Sequence, residues 1–507
     1  MPGPGEKRLR GQALRSRLLL SLGLLSSAAT GAPPSVPTPD WSSDQVRAAR
    51  STSPTDALII DYKREVTAAG ASSQVESGSI TLARDFVEVA SPIGYGLDDF
   101  ALCRSLNWRD GDAAFANESC YAGPAVRLAE LANRRVLRTV LETAMKGSPK
   151  HLGDMSSPYW AEQELAVQET ASDPLVVSRK AQSTEWRLGR QVVVRTSGGF
   201  SFSGAERKAV ERYFARHLDL HPQVRQALLE AGNLPERLMI ERRQLGHPST
   251  EVITFSNPQR RSVNYPLPPH LVSALVVRSQ AKTTEGAGLR QALLAVAGTA
   301  KPPKPSLDEL MDRIRTAVAD GRSLEAFLQF LALSQQYGGE LQSDPAKMEK
   351  LRRLAPSIRA AMAAPEVAEF NLASNLAGSA QPSSQREAAA RYLAGADQLD
   401  KLTFGTFRYV TFANLVRTSS DATGWDKSIA SHMPSLADCY WTHIAAYPWA
   451  SPAFKDLGDF WYTEFDTARA WQAWDLGRAV DPGWRGGPMQ AVADLESRTT
   501  QAVPGNF

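Results

Sequence analysis

Two histidines lie four residues apart, a spacing at which two imidazoles on one continuous helix face could ligate a single metal ion. They are His217 and His221, in the segment Arg-His-Leu-Asp-Leu-His-Pro at 216–222. The residue between them is Asp219, where the zinc-protease motif has Glu, and Pro222 predicts that the helix ends before His221. The sequence therefore favours a structural pair near a helix terminus, and it predicts no metal ion and no cofactor.

Other motifs that carry catalysis are incomplete or missing from the sequence. The segment Phe200–Gly204 lacks the first glycine of the turn that presents a nucleophilic serine in hydrolases. No phosphate-binding glycine loop, dinucleotide fingerprint or calcium loop is present. Paired acids such as Asp98 and Asp99 are too common to indicate a catalyst. We therefore predict no catalytic residues and favour a protein that is not an enzyme, with a hydrolase of dispersed residues left open.

Seven tryptophans fall between residues 425 and 484. Aromatic side chains that face a groove could clamp an extended peptide or stack on a sugar. The candidates for such a binding surface are Trp441, Trp449, Trp471 and Trp484. The alternative, which the sequence favours, is that these side chains form the core between stacked helices.

Residues 454–482 have an aromatic or small residue at each position expected in a pair of packed helices. These positions are Phe454, Leu457, Gly458, Trp461, Ala470, Trp474 and Pro482. The glycine and the alanine let two antiparallel helices approach closely, the larger side chains fill the seam, and the proline stops the second helix. This pattern resembles the tetratricopeptide repeat. The resemblance covers 454–482 only, so it implies a helical-repeat architecture and says little about activity.

Composition is ordinary for a globular protein of two or three domains. The chain has 507 residues, of which 43% are hydrophobic and 22% charged. Its 57 basic and 54 acidic side chains give a net charge of +3. Such a balance supplies no field strong enough to hold nucleic acid, so we expect no nucleic-acid partner.

The first 31 residues have the order of segments found in secretory signal peptides. Basic residues at 7–17 precede an apolar run at 18–29, which is followed by small residues that suit cleavage near Gly31 or Ala32. The run is too short to span a bilayer. We expect an exported protein, periplasmic or extracellular, with a flexible lead at 32–55 and no transmembrane segment; a retained N-terminal anchor is the alternative.

Two cysteines, Cys103 and Cys120, flank a turn at 109–112 between two alternating segments. A hairpin loop centred between Gly111 and Asp112 places them directly opposite each other, at a distance that a disulfide tolerates. The same register pairs Trp108 with Phe115, and Leu102 with Tyr121, on the other face.

An alternative register leaves both cysteines reduced. A loop centred on Asp110 and Gly111 places Glu118 opposite Cys103 instead. The third cysteine, Cys439, has no evident partner, and its neighbours Tyr440 and Trp441 suggest a core position.

The order of elements predicts an α+β fold followed by helices. Residues 56–298 read as hairpins interrupted by helices, which favours a mainly antiparallel sheet. Ser203 and Glu206 form a capping box that predicts a helix from Gly204 to about Leu218, and a second helix is expected between Pro222 and Gly232. After a Pro-rich linker at 299–305, residues 306–507 read as an all-helical, repeat-like domain.

These observations favour an exported interaction protein that is not an enzyme and binds a peptide or protein partner through a groove of the helical domain. A carrier of a lipid or small apolar ligand in the curved sheet is the alternative from another class. A hydrolase of unrecognised type is the third.

Overall fold

The computed structural model describes residues 54–68, 72–125, 175–274, 305–377, 403–410, 436–463, 466–480 and 487–507 apart from short gaps, together with a few residues at 46–50, 288–292 and 383–399. The predicted signal peptide lies outside these residues. So do most of the predicted lead, most of the Pro-rich linker, Pro482 and Trp484.

The α+β class predicted from the sequence is confirmed. The first part of the chain is a sheet whose strands are mainly antiparallel, with helices packed on it, and the part after residue 300 is helical. The strands are β1 (Thr55–Ala68), β2 (Gln74–Ala83), β3 (Phe86–Ser91), β4 (Gly94–Asp99), β5 (Arg104–Trp108), β6 (Ala114–Ser119), β7 (Val176–Lys180), β8 (Ser183–Leu188), β9 (Gln191–Ser197), β10 (Phe200–Ser201), β11 (Asn233–Leu234), β12 (Arg237–Gln244), β13 (His247–Val263) and β14 (Val272–Ser273). The helices are α1 (Arg207–His217), α2 (Pro222–Ala231), α3 (Leu307–Ala319), α4 (Ser323–Ser343), α5 (Pro345–Met362), α6 (Pro365–Ala377), α7 (Leu436–Ala446), α8 (Ser451–Thr463), α9 (Thr467–Val480) and α10 (Gly487–Ala502).

A sheet of 12 strands in the order β14-β6-β5-β4-β3-β2-β1-β13-β12-β9-β8-β7 forms the first part. Strands β1 to β6 follow one another as neighbours, as expected for a series of hairpins. The sheet is joined in its middle by the long antiparallel pair of β1 and β13, which brings Thr55 opposite Val263. Only the short strand β14 runs parallel to its neighbour β6 among the described pairs.

The predicted register of the β5–β6 hairpin is confirmed. Arg104 lies opposite Ser119, and the backbone N–H of Cys120 donates to the carbonyl of Cys103 at 3.0 Å. The two cysteines form a disulfide, with Cα atoms 4.9 Å apart. Cys439 is a buried free thiol, and burial raises its pKa to about 12.

Helices α1 and α2 cover one face of the sheet because each has a continuous apolar stripe. Val210 and Phe214 of α1 are fully buried against a core to which β1 contributes Leu58 and Ile60. Burial of such side chains stabilises the fold by roughly 2 kcal/mol each. The apolar face of the central strands is therefore occupied by the protein's own helices.

The capping box predicted for α1 forms, but the predicted start of the helix is wrong. The Ser203 hydroxyl accepts from Glu206 N–H, and the Glu206 carboxylate accepts from Ser203 N–H. The backbone N–H of Glu206 also donates to the carbonyl of Ser203, so 204–206 form a turn. The regular helix consequently begins at Arg207, three residues later than predicted, and ends at His217. Helix α2 has the predicted bounds, with Gly232 in the left-handed conformation at its end.

The residues of the predicted helix pair lie in the seam between α8 and α9. Phe454, Leu457 and Ala470 are fully buried. A Cβ on Gly458 would lie 2.2 Å from the Trp474 ring, so only glycine allows this approach. Gly477 lies against Phe454 near the other end of the seam, which shows that the two helices run antiparallel.

A capped first helix and a short packed segment before the linker also belong to the helical part. Ser306 caps α3 through a reciprocal capping box with Glu309. Leu289 and Ala292, which precede the predicted linker, pack into the core formed by α7, α8 and α9. Within the described part of the chain, none of the helices is both long enough and apolar enough to cross a bilayer.

Candidate functional site

An open pocket lies where helix α1 ends above strands β3, β4 and β5. Helix α1 is held on the sheet by its buried Val210, Tyr213 and Phe214, and its last turn carries Arg216 and His217. The chain then becomes extended at Leu218. Because the helix stops here, the sheet face beyond it has no helical cover among the described residues.

The floor of the pocket is built from three adjacent strand positions. Val89 of β3 lies opposite Gly96 of β4, and Gly96 lies opposite Asn107 of β5. A Cβ on Gly96 would lie 3.3 Å from the Asn107 side-chain oxygen, so the glycine keeps this part of the floor low. The pocket has a volume of about 410 Å³, within the usual range for ligand sites. Its lining consists of Val89, Ser91, Ile93, Gly94, Tyr95, Gly96, Asn107, Trp108, Arg109, Asp112 and His217.

A polar cluster behind the pocket orients the His217 ring. Asp98 follows Gly96 on the same face of β4 and is buried under the end of α1. Its Oδ2 lies 2.9 Å from Nε2 of His217, and its Oδ1 accepts from Arg216 Nη1 at 3.1 Å and from Ser105 Oγ at 2.5 Å. The imidazole is thus fixed on one side and 28% exposed on the other.

The cluster keeps the Asp98 carboxylate charged despite its burial. Burial alone would raise the pKa of Asp98, but the hydrogen bond from His217 and the charge of Arg216 lower it to about 2. Burial in turn lowers the pKa of Arg216, although Asp98 opposes this shift. A charged pair of this kind fixes geometry because each partner would be costly to leave unpaired.

The order of these groups differs from that of a hydrolytic triad. In a Ser-His-Asp triad the imidazole lies between the serine and the carboxylate, so that it can accept the serine proton. Here the Asp98 carboxylate lies between Ser105 and His217. The arrangement holds an imidazole in place and gives it no serine to activate within this cluster.

The rim of the pocket combines an apolar tip with residues of both charges. Ile93, at the turn between β3 and β4, is 73% exposed. The Tyr95 and Trp108 rings, whose centroids are 5.3 Å apart, stack on the opposite face of the sheet, against its buried core. The Asp112 carboxylate accepts from the Arg109 backbone N–H at 2.8 Å, which fixes the loop beside the pocket. Such a surface can contact an apolar group and hydrogen-bond its polar neighbours.

The tryptophans predicted as possible groove residues have different positions. Trp471 is fully buried and Trp441 is 6% exposed, both in the core of the helical part. Trp449 is half-buried beside Tyr447 and Ala450, and Trp484 lies outside the described residues. Two of the four candidates therefore pack between helices, which is the alternative that the sequence favoured.

The two histidines considered as a metal pair belong to different elements. His217 ends α1, whereas His221 precedes α2 and its Nδ1 accepts from the Gln223 backbone N–H at 3.2 Å. The described residues contain no group of three or more His, Cys, Asp or Glu side chains that could hold a metal ion.

Sequence reasoning missed the role of Asp98. The alternation of β4 places Gly94, Gly96 and Asp98 on one face, so a charged residue occupies a position that faces a helix. The position of Asp98 becomes informative only when helix α1 is known to cover this face of β4. Its neighbour Asp99 points to the other face, where Arg50 Nε and the Tyr265 hydroxyl donate to it at 2.7 and 2.8 Å.

No protein-family model matches this chain, and no curated protein shows significant similarity to it.

Proposed function

We propose that the protein is an exported interaction protein, without enzymatic activity, that binds a peptide or protein segment in the pocket at the end of α1. The observation that carries the proposal is the pocket itself, with a held imidazole at one wall and an exposed isoleucine at its rim. A peptide supplies matching groups, because its side chains can contact Val89 and Ile93 while its backbone amides pair with Asn107 and His217.

The proposed binding surface therefore lies on the sheet and not in the predicted helical groove. The repeat-like helices then support the sheet domain, and we propose that the α8–α9 pair is a tetratricopeptide-like unit in that role. The burial of Trp441 and Trp471 supports this division, since neither side chain has surface left for a partner.

An apolar-ligand carrier lacks a comparable observation. Such a carrier needs apolar space beside the sheet, and α1 and α2 occupy the face where β1, β12 and β13 present their apolar side chains.

A random peptide array tests binding in the pocket. Wild-type protein should bind a subset of peptides, and Gly96→Leu, which fills the floor, should weaken that binding about tenfold or more. The matched control is Gly338→Leu, because Gly338 lies on α4 with open space around it and away from the pocket. If the wild type and Gly96→Leu bind the same peptides equally well, the pocket is not the peptide-binding site.

Export is tested by sequencing the N-terminus of the protein isolated from its own host. We expect a mature chain that begins near Gly31 or Ala32. A chain in the cytosol that still begins at Met1 or Pro2 would contradict the export proposal. The Cys103–Cys120 disulfide supports export, because disulfides persist in oxidising compartments.

A further inference from the structure

The residues that flank the disulfide make several of the contacts between the sheet and the helical part. On one side, Arg104 directly follows Cys103 and its Nη1 lies 3.0 Å from Oδ2 of Asp475 in α9. Both side chains are less than 10% exposed, at 6% and 7%. Arg104 is also held from within the hairpin, because its Nε donates to the Asn117 side chain at 2.7 Å.

The helical partner of Arg104 belongs to a second buried network. Arg478 donates to Asp475 at 3.3 Å and to both carboxylate oxygens of Glu496 at 2.9 and 3.0 Å. The Trp471 indole N–H donates to the same Glu496 at 2.9 Å. Burial raises the pKa of Glu496, although Arg478 opposes this shift. The Arg104 contact therefore joins the hairpin to a network that spans α9 and α10.

On the other side of the disulfide, the chain after Cys120 also docks on helical residues. The Tyr121 ring stacks on Trp471 with centroids 6.1 Å apart. The Ala122 carbonyl accepts from the Thr467 hydroxyl at 2.8 Å, within α9. The chain segments that follow Cys103 and Cys120 therefore both contact α9.

Helix α1 completes the connection. Arg216 Nη2 donates to the Cys120 carbonyl at 3.1 Å, and its Nε donates to the Asn506 carbonyl at 2.9 Å. Arg212 donates to the Phe507 carbonyl at 3.1 Å. One guanidinium therefore contacts the hairpin, residues 504–507 and, through Asp98, the wall of the pocket.

The backbone at Cys103 is unusual and depends on local restraint. Its φ of 54° lies in the left-handed region, which residues other than glycine rarely adopt. Such a conformation persists only where the surroundings hold it. The cross-link to Cys120 restrains Cys103. The next residue in the chain is Arg104, whose guanidinium contacts Asp475.

We infer that the Cys103–Cys120 disulfide is a redox-sensitive clamp on the interface between the sheet and the helical part. A thiolate of an external dithiol attacks the sulfur of the half-buried Cys103, and the Cys120 thiolate leaves and takes up a proton. The second thiol of the reductant then displaces Cys103 as a thiol and closes the reductant's own disulfide. Two electrons pass to the protein, Cys103 is released from its left-handed conformation, and the Arg104–Asp475 contact is lost.

Hydrogen exchange on the full chain tests the clamp, with dithiothreitol as the dithiol and peptide mapping to verify both thiols. After reduction, amides in residues 114–125 and 504–507 should exchange about tenfold faster, while β1 and β13 keep their protection. Asp475→Asn, with the disulfide intact, should accelerate exchange in the same segments. The matched control Cys439→Ala should respond to reduction like the wild type.

Three results would overturn the clamp. Unchanged exchange at 114–125 and 504–507 in fully reduced protein would show that the cross-link does not hold the interface. A uniform rise that includes β1 and β13 would show a general staple of the fold. Full protection of both segments in Asp475→Asn would show that the Arg104 contact does not transmit the restraint.

Discussion

At the scale of single residues, the charged side chains under α1 can be tested most directly by substitution. Asp98 has hydrogen-bonding contacts with three side chains and remains charged at a buried position. The same carboxylate orients His217, so its loss should affect both the stability of the protein and the pocket wall.

Replacing Asp98 with Asn leaves Arg216 buried without its counter-charge, and we expect a loss of about 3 kcal/mol in the free energy of unfolding. Urea unfolding measures it. The control is Asp85→Asn. The Asp85 side chain is 46% exposed and its contact with Arg50 is long, at 3.5 Å, so we expect the free energy of unfolding to change by no more than about 0.5 kcal/mol. The pKa of Asp98 is lowered to about 2, so its contribution is present above pH 4 and is lost as the pH falls toward 2. Equal losses in the two variants would contradict the role of Asp98.

His443, in α7, should make the protein sensitive to mild acid. It is fully buried, with its ring 4.6 Å from that of Tyr409 and 5.0 Å from that of Tyr447. Burial lowers its pKa to about 3, whereas the unfolded chain binds a proton near pH 6.5. Protonation therefore favours the unfolded state, and stability should fall by up to about 1.4 kcal/mol per pH unit below pH 6.5.

His443→Phe should remove that dependence while it retains the aromatic packing. Unfolding free energies measured between pH 7 and pH 4 give the slopes of the variant and the wild type. His270→Gln, at an exposed position, is the control and should keep the wild-type slope. An identical slope in His443→Phe would show that His443 is not the cause.

At the scale of elements, the helices and hairpins that were predicted correctly are those with residue signals at their own ends or turns. The β5–β6 register follows from two cysteines and an aromatic pair that agree on one alignment, and α2 follows from a proline at one end and a glycine at the other. The start of α1 was missed by three residues because the same capping box closes either a helix or a turn. Local signals identify an element better than they fix its first residue.

Gly458→Leu tests the seam between α8 and α9. A side chain at this position must displace the Trp474 ring, so overpacking should cost roughly 1 to 3 kcal/mol. Thermal melts of the full chain measure the change. Gly338→Leu is the control, since Gly338 has open space around it and leucine has the higher helix propensity. A melting temperature of Gly458→Leu equal to or above that of the wild type would contradict the close packing of α8 against α9.

At the scale of the whole molecule, the sequence could not predict which distant elements meet. Strand β13 pairs with β1 although Val263 and Thr55 are far apart in the chain, and nothing local to either strand specifies the other. The pocket was missed for the same reason. Gly94 and Gly96 belong to β4 and His217 ends α1, and no local signal in either segment indicates that the two elements meet.

The two parts of the molecule meet through buried polar contacts as well as apolar ones such as the stacking of Tyr121 on Trp471. Arg104 and Arg216 of the sheet part contact Asp475 and Asn506 of the helical part. Because Arg216 also holds Asp98, the interface and the pocket share a side chain. We therefore expect the helical part to support the geometry of the pocket from a distance.

The most direct test of the proposed function is photo-cross-linking of an array-selected peptide to the full-length protein. Mass spectrometry then locates the attachment sites. We expect attachment within residues 89–96 and 107–112, mainly at Ile93, and a loss of these products in Gly96→Leu. Attachment confined to residues 436–480 would contradict it and would return the binding surface to the helices.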